Sequence, residues 1–582
     1  MMRRNKQLSI LWLFRYLRQV KGRLVLLLGM LLSSTAFQLI NPQIVRNFID
    51  TASTKGVVSD LLSLAGLYLA IAVCIQLFTV AISYVGNDIA WRSTNRLRAD
   101  LLKHCLRLDM RFHNLKTPGE MIERVDGDVT NMSNFFSMFI VQIIGSFVLL
   151  AGILGYMFIT NWPIAIVMTV FTCLSIGVMV YIRNVGVDAT QAERQAKASL
   201  LGLIEERISG IEDVQANGGV PYVMNRFHRA MRTLFLTGRK AWMLRVVPWN
   251  ATVVLFAIAV TVVLLFGVYL YLKGQVTLGT LFLFYQYTQM LNDPIEQLGD
   301  QVQEFQKAKS GMHRAREILS MHSEIEEGEG ETLPAGALGV EFKQVSFSYN
   351  KDSRVLHDIS FSLQPGERLG IVGRTGSGKT SISRLLLRLY NTDSGTIEVG
   401  GVDIRSLRLE ALYNRVGMVT QDVQLFDGTL RDNLTLFDSS ISDEDILATI
   451  NKLGLRTWID GLSNGLSTHL SAGGTSLSAG EAQLFALTRV FLAKPSLVIL
   501  DEPSSRLDAA TEAVLQNAVE QLMEHCTVII IAHRLSTLEN VDKIMVLGNG
   551  HILEFGEREA LAKNSSSHYA KLLRTDHQEE LA

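Results

Sequence analysis

Long apolar runs alternate with basic stretches over the first half of the chain, and the second half loses the runs. Six segments have the length and apolarity of transmembrane helices: about 24–45, 61–85, 135–159, 163–182, 246–272 and a more polar 278–298. The third and fourth are joined by a tight turn at Thr160-Asn161-Trp162. A buried helix of a soluble core accounts for one such segment but not for six. The connections between the second and third spans and between the fourth and fifth are long and alternate charged with apolar residues. The spacing of Leu97, Leu101, Leu102, Cys105 and Leu108 predicts helices that continue beyond the membrane. They reverse at Pro118-Gly119 and at Gly218-Gly219-Val220-Pro221.

Beyond an acidic stretch at 321–339 the pattern becomes that of a soluble α/β domain. Val340 to Tyr349 alternates as an edge strand. Arg368 to Val372, Ser496 to Leu500 and Thr527 to Ala532 read as buried strands, and Ser381 to Leu389 as a helix. The predicted organisation is a helical membrane domain (1–320), a linker (321–339) and an α/β domain (340–582). Glu324, Glu326, Glu327, Glu329 and Glu331, among glycines and Pro334, make the linker read as a solvated connector.

Charge orients this plan. Arg3, Arg4, Lys6 and further basic residues precede the first span, and both long connections are rich in lysine and arginine. The opposite loops (47–60, 160–162 and 272–277) carry only Lys55 and Lys273. The basic side is therefore cytoplasmic, with the N-terminus and the soluble domain on it. The first apolar run is too long for a cleaved signal and is expected to stay as an anchor. The net charge is −1, which gives no argument for nucleic-acid binding. The four cysteines are scattered and form neither a metal spacing nor a disulfide framework. Within the spans, Gln38, Asn41, Gln76, Gln142, Asn250, Tyr285, Gln286, Gln289, Asn292 and Asp293 face the bundle interior or a water-filled cavity. There they serve either inter-helix hydrogen bonds or an amphipathic cargo.

Candidate chemistry lies in the second half. Gly373-Arg374-Thr375-Gly376-Ser377-Gly378-Lys379-Thr380 fits the phosphate-binding pattern, with a strand before it and a helix after it. Its backbone N–H groups suit an anion, Lys379 would reach the β- and γ-phosphates, and the Thr380 hydroxyl would hold Mg²⁺. Downstream, an apolar strand ends in Asp501 and Glu502. Asp501 suits the Mg²⁺ shell, and Glu502 suits orientation or deprotonation of an attacking water. His533, after the last buried strand, could contact the γ-phosphate, and Tyr349 could stack on adenine.

In order, these motifs and Gln421, Leu477-Ser478-Ala479-Gly480-Glu481, Asp501-Glu502-Pro503, Ser505-Arg506-Leu507-Asp508 and His533 resemble the ATP-binding-cassette transporters. The resemblance is to exporter-type half-transporters: six transmembrane helices with long cytoplasmic extensions, followed by an α/β P-loop ATP-binding cassette. It implies ATP and Mg²⁺ as ligands and Glu502, His533 and Gln421 as the hydrolytic set. Gln421 and Asp501 join Thr380 around the metal. Tyr349 becomes the adenine-stacking residue. Ser478 and Gly480 belong to a signature loop that caps an ATP held by a partner cassette, and Asp508 to the loop crossing between cassettes. Asn114–Glu120 and Asn217–Tyr222 match the turns that carry short coupling helices.

The departures point further. Ala479 and Glu481 stand where glycine and glutamine are usual. Ser471-Ala472-Gly473-Gly474 lacks both charges of the usual upstream motif, and Arg506 replaces a small residue. An intact hydrolytic set beside a weakened signature resembles one subunit of a heterodimer, whose active site takes its signature from a different half-transporter. The implied function is ATP-driven export of a drug, lipid or peptide across the plasma membrane. Import of a siderophore-like molecule and ATP-gated regulation or channel activity are the alternatives; intact Glu502 and His533 argue against the last.

Overall fold

The computed structural model describes residues 20–54, 56–182, 185–350, 353–421, 423–462, 464–471, 478–501, 516–521, 526–532 and 535–579. The chain divides into two compact units. One comprises residues up to Leu106 together with Pro118–Met321; the other comprises Arg107–Thr117 and His322 to the C-terminus.

The first unit is helical. Among the described residues, five helices are long and apolar enough to cross a membrane: Lys21–Ser53, Val58–Leu106, Pro118–Thr160, Trp162–Met179 and Val220–Leu272. Several outlast a bilayer. Val58–Leu106 has 49 residues and Val220–Leu272 has 53, whereas about 20 suffice to span. These are the extensions that the alternating charged and apolar residues predict. The sixth predicted span, 278–298, is not one helix. Leu278–Met290 and Asn292–Leu319 meet at Leu291. Pro294 explains the break, because it has no N–H to offer the carbonyl of Met290.

Of the polar side chains predicted inside the bundle, Gln142 makes an inter-helix bond, beside others that the sequence did not single out. Gln301 Nε2 donates to Gln142 Oε1 (2.5 Å) and Ser146 Oγ to Gln297 Oε1 (3.0 Å), tying Pro118–Thr160 to Asn292–Leu319. Nearer the cytoplasmic end, Arg314 binds the fully buried Asp128 across the same pair of helices. These are inter-helix bonds, which the low-dielectric interior strengthens. Asn250, Gln289 and Asp293, by contrast, are exposed.

The second unit contains two main sheets. Strands β1 (Val340–Asn350), β2 (Ser353–Leu363), β3 (Arg368–Gly373), β4 (Ser394–Val399), β5 (Val402–Asp403), β6 (Val416–Val419), β7 (Gly428–Thr429), β8 (His469–Leu470), β9 (Leu497–Asp501), β10 (Thr527–Ile531), β11 (Lys543–Gly548) and β12 (His551–Glu557) follow in chain order. An antiparallel sheet runs β2-β1-β4-β5. A six-stranded sheet runs β12-β11-β3-β10-β9-β6, parallel except for its β12 edge. β9 and β10 are buried throughout, which is why they read as unbroken apolar runs.

The acidic stretch before β1 differs from its sequence reading as a solvated connector. Gly328 N–H donates to Leu407 O (3.2 Å) and Gly330 N–H to Ser406 O (3.2 Å), and Glu331 bridges Leu407 in parallel. Arg388, 4 % exposed, donates to Glu326 O (2.7 Å) and Leu407 O (3.3 Å). Asn391 Nδ2 donates to Glu324 O (2.7 Å). Side chains hold it too: Glu327 Oε2 accepts from Leu409 N–H (3.2 Å) and Glu331 Oε2 from Ser406 Oγ (2.9 Å), so an acidic composition that reads as solvated hides a bound segment.

Candidate functional site

The parallel sheet brings the candidate residues to one edge. Register aligns Asp501 of β9 with Ile531 of β10, and Ile531 with Ile371 of β3. Val419 of β6 pairs with Leu500 of β9. The loop after β3, the carboxylate ending β9 and the segment after β6 therefore emerge at the same C-terminal edge, where open α/β sheets bind ligands.

The loop after β3 turns on glycines. Gly376 and Gly378 hold φ of +81° and +105°, in the left-handed region. A Cβ on Gly378 would meet Leu356 at 2.6 Å, whereas one on Gly376 would point into open space. Lys379 is 6 % exposed, and its Nζ donates to Gly373 O (2.6 Å) and Arg374 O (3.4 Å). The buried Ser377 Oγ has no hydrogen-bond partner among the described residues. An ammonium held at the loop mouth, an orphaned buried hydroxyl and the N-terminus of the helix Lys379–Leu386 together fit a polyphosphate.

The set proposed for the metal is Thr380, Asp501 and Gln421. Thr380 is exposed, and its hydroxyl makes no hydrogen bond among the described residues. Asp501 is 5 % exposed at the end of β9. A hydroxyl, a carboxylate and an amide are hard oxygen donors and fit Mg²⁺.

Gln421 is anchored through its backbone. Gln483 Nε2 donates to Gln421 O (2.9 Å) from the helix Ala479–Ala493. From the same helix Arg489 donates to Asn433 O (2.8 Å) and Gln424 O (3.1 Å) and lies over the Phe485 ring. Burial pushes the Arg489 guanidinium down to about 10. The segment after β6 and the signature helix are thereby one packed piece. Ser478 is the N-cap of that helix. Its Oγ accepts from Glu481 N–H (3.2 Å), and Glu481 Oε2 accepts from Ser478 N–H (2.7 Å). Glu481, out of pattern for the family, thus completes a capping box. Gly480 lies in the first turn of the helix. Leu477, Glu502, Asp508 and His533 lie outside the described residues.

Tyr349, the adenine candidate, ends β1 half-buried. Its Oη lies 3.1 Å from Ser381 Oγ and accepts from Arg384 Nη1 (3.1 Å), with the Arg384 guanidinium over its ring. Edge-on to it stands Tyr390, ring centroids 5.1 Å apart. Tyr390 is 5 % exposed; burial pushes its phenol up, against the pull of Arg384 and of a hydrogen bond from Asn114. Nothing in the sequence pattern singles out Tyr390; its role is visible only in the contacts.

Comparison with known proteins accords with this geometry. Residues 24–295 match the ABC transporter transmembrane region and residues 356–505 match the ABC transporter family. A fatty acid ABC transporter ATP-binding/permease protein of Mycobacterium bovis is 32% identical over 503 residues, 86% of this chain and 79% of the relative. An ATP-dependent lipid A-core flippase of Desulfotalea psychrophila is 31% identical, covering 84% of each chain. The solved structure of a bacterial Atm1-family ABC exporter with ATP bound shares the fold, with a TM-score of 0.77 at 23% identity over 96% of this chain and 98% of that one. A membrane region of apolar helices and a nucleotide-binding cassette thus stand on one polypeptide, and the chain belongs to the ATP-binding-cassette transporters, membrane proteins that couple ATP hydrolysis to transport.

Proposed function

We propose that this chain is one half of a heterodimeric exporter in the plasma membrane that moves a hydrophobic or amphipathic, lipid-like cargo outward. The observation that carries the ATPase part is the shared sheet edge, where the Gly373–Thr380 loop, Asp501 and the segment of Gln421 emerge side by side. The fatty-acid and lipid A-core relatives support a lipid-like cargo class; the outward direction rests on the resemblance of the motifs to exporter-type half-transporters.

In this reading the Gly373–Thr380 loop and Lys379 bind the phosphates of ATP, and Tyr349 stacks on adenine. Thr380, Asp501 and Gln421 would hold Mg²⁺, which would supply charge neutralisation for the phosphates. Glu502 orients and deprotonates the attacking water, and His533 steadies the γ-phosphate. The work of these residues is positioning and charge stabilisation, as phosphoryl transfer requires. By the family resemblance, Asp508 would serve the loop that crosses between the two cassettes. Two cassettes close around ATP, so the signature beginning at Ser478 serves the ATP bound by the partner. The altered signature supports an unlike partner, because Ala479 adds a methyl and Glu481 a negative charge where a phosphate must approach.

Co-expression with a second half-transporter tests the pairing, and the purified pair is then screened for ATPase stimulation by fatty acids, phospholipids and amphipathic drugs. The expected result is a stable one-to-one complex whose hydrolysis rises with lipid-like compounds. Brisk, stimulated ATPase from this chain purified alone as a homodimer would overturn the heterodimer. A pair that no lipid-like compound stimulates would overturn the cargo class.

A further inference from the structure

A chain of side-chain contacts inside the cassette unit leads from the phosphate loop to the connection between the second and third spans. It starts on the helix Lys379–Leu386, whose first residue is the phosphate-loop lysine. Ser381 and Arg384 of that helix hold the Tyr349 hydroxyl. Tyr349 stands edge-on to Tyr390, with planes at 88° and centroids at 5.1 Å, and Phe347 packs against both rings. Tyr390 Oη then accepts a hydrogen bond from Asn114 Nδ2 (2.5 Å). Asn114 lies on the short helix Met110–Leu115, in the connection after Val58–Leu106.

That helix is held at its other end by one residue. Asp109 Oδ1 accepts from Phe112 N–H (3.0 Å) as the N-cap, and Asp109 Oδ2 accepts from Glu324 N–H (2.7 Å). Arg111 forks onto both oxygens of Glu324 (2.9 and 3.0 Å). Glu324 follows closely on the helix Asn292–Leu319. The connection after the second span and the segment after the last membrane-unit helix are thus bound to each other and, through Asn114, to Tyr390.

We infer that Tyr390 is a positioning residue that reports the state of the adenine site at Tyr349 to the Met110–Leu115 helix, with Asn114 receiving the signal. The physical argument is the crowding of Tyr349. Its hydroxyl has two partners, its edge meets Tyr390, and the Arg384 guanidinium lies over its ring. A base stacking on the ring face that the Arg384 guanidinium covers displaces that guanidinium, and with it the hydrogen bond Arg384 gives the Tyr349 hydroxyl. The aromatic trio is packed tightly enough to pass the shift on, because Phe347 and Tyr390 are both buried. The polar exit from the trio toward Met110–Leu115 is the Tyr390 hydroxyl. Its bond to Asn114 links a packed core to a helix end, and such a bond follows ring position closely. This rests on the reading of Tyr349 as the adenine-stacking residue.

The test uses the full-length transporter in nanodiscs, carrying Glu502→Gln so that ATP stays bound. Hydrogen exchange of residues 107–117 is followed with and without ATP, and ATP affinity is measured alongside. Tyr390→Phe removes the hydroxyl and keeps the ring, and Asn114→Ala removes the other partner. Both are expected to keep ATP affinity within about twofold while losing at least about half of the ATP-dependent change in exchange at 107–117. A merely structural role would raise exchange equally with and without ATP. Either variant showing the full ATP-dependent change would overturn the relay, as would an equal loss of protection in both states. Tyr349→Ala tests the nucleotide reading separately and is expected to weaken ATP binding about tenfold, the loss of one base–aromatic stack. Unchanged affinity in that variant would remove the input of the relay and overturn it there, a failure distinct from one seen in Tyr390→Phe.

Discussion

Glu481 is where charge and local structure pull apart. Its carboxylate is unfavourable beside a phosphate, yet it closes the cap of the signature helix with Ser478. A glutamine offers the same carbonyl acceptor without the charge. Glu481→Gln should therefore leave stability within about 0.5 kcal/mol. In a heterodimer whose working site takes its signature from the partner, it should also leave turnover within about twofold. Thermal unfolding and steady-state ATPase check both, and a turnover rise of several fold would place this signature at the working site. At Glu367, Lys543 Nζ lies 2.7 Å from the carboxylate, and Gln364 N–H also donates to it (2.7 Å). Burial pushes this carboxyl up, but the Lys543 and Gln364 bonds together hold it below its ordinary value. A lowered folded pKa contributes stability that is fully present above the unfolded value of about 4.3 and is lost as pH falls through the folded one. Glu367→Gln should thus lower the unfolding temperature at neutral pH, with the difference from wild type shrinking on acidification. A difference that persists unchanged in acid would contradict the assignment.

At the scale of elements, legibility follows what a pattern can record. Apolar runs and their breakers report removal from water, into lipid or into a core, so five of the six spans, β3, β9 and β10 were readable, as was the Gly373–Thr380 turn. The segment 324–331 was not, because five glutamates among glycines read as solvated, whereas its backbone binds residues 406–407 and the carboxylates of Glu327 and Glu331 bind Leu409 N–H and Ser406 Oγ. The break at Leu291 was hidden because the more polar 278–298 still had the length of a span, although Asn292, Asp293 and Pro294 were the available signs. Tyr390 was illegible for another reason: an aromatic after a helix is usually core, and only the hydrogen bond from Asn114 distinguishes it. The bound segment makes its own prediction. A Cβ at Gly328 would lie 2.3 Å from the Ser406 carbonyl. Gly328→Ala should lift the segment off the cassette and expose Glu324 to Glu331 to a glutamate-specific protease, which peptide mapping reads directly. Equal cutting in wild type and variant would show that the segment is not held in solution.

At the scale of the molecule, one polypeptide carries two kinds of unit with different solvents. The helical unit faces lipid with exposed apolar side chains such as Leu62, Leu69, Val80 and Leu265, while the cassette buries its apolar residues around two sheets. The chain passes between the units at both ends of the 107–117 connection and again near 321. Transport needs movement to be driven by hydrolysis, and Glu502 is the residue to which the account gives the water. The most direct measurement is phosphate release by the purified transporter in nanodiscs, wild type against Glu502→Gln, with ATP binding followed in parallel. The variant is expected still to bind ATP while hydrolysis falls about 100-fold or more, as on losing a general base. Wild-type phosphate release by Glu502→Gln would contradict that role.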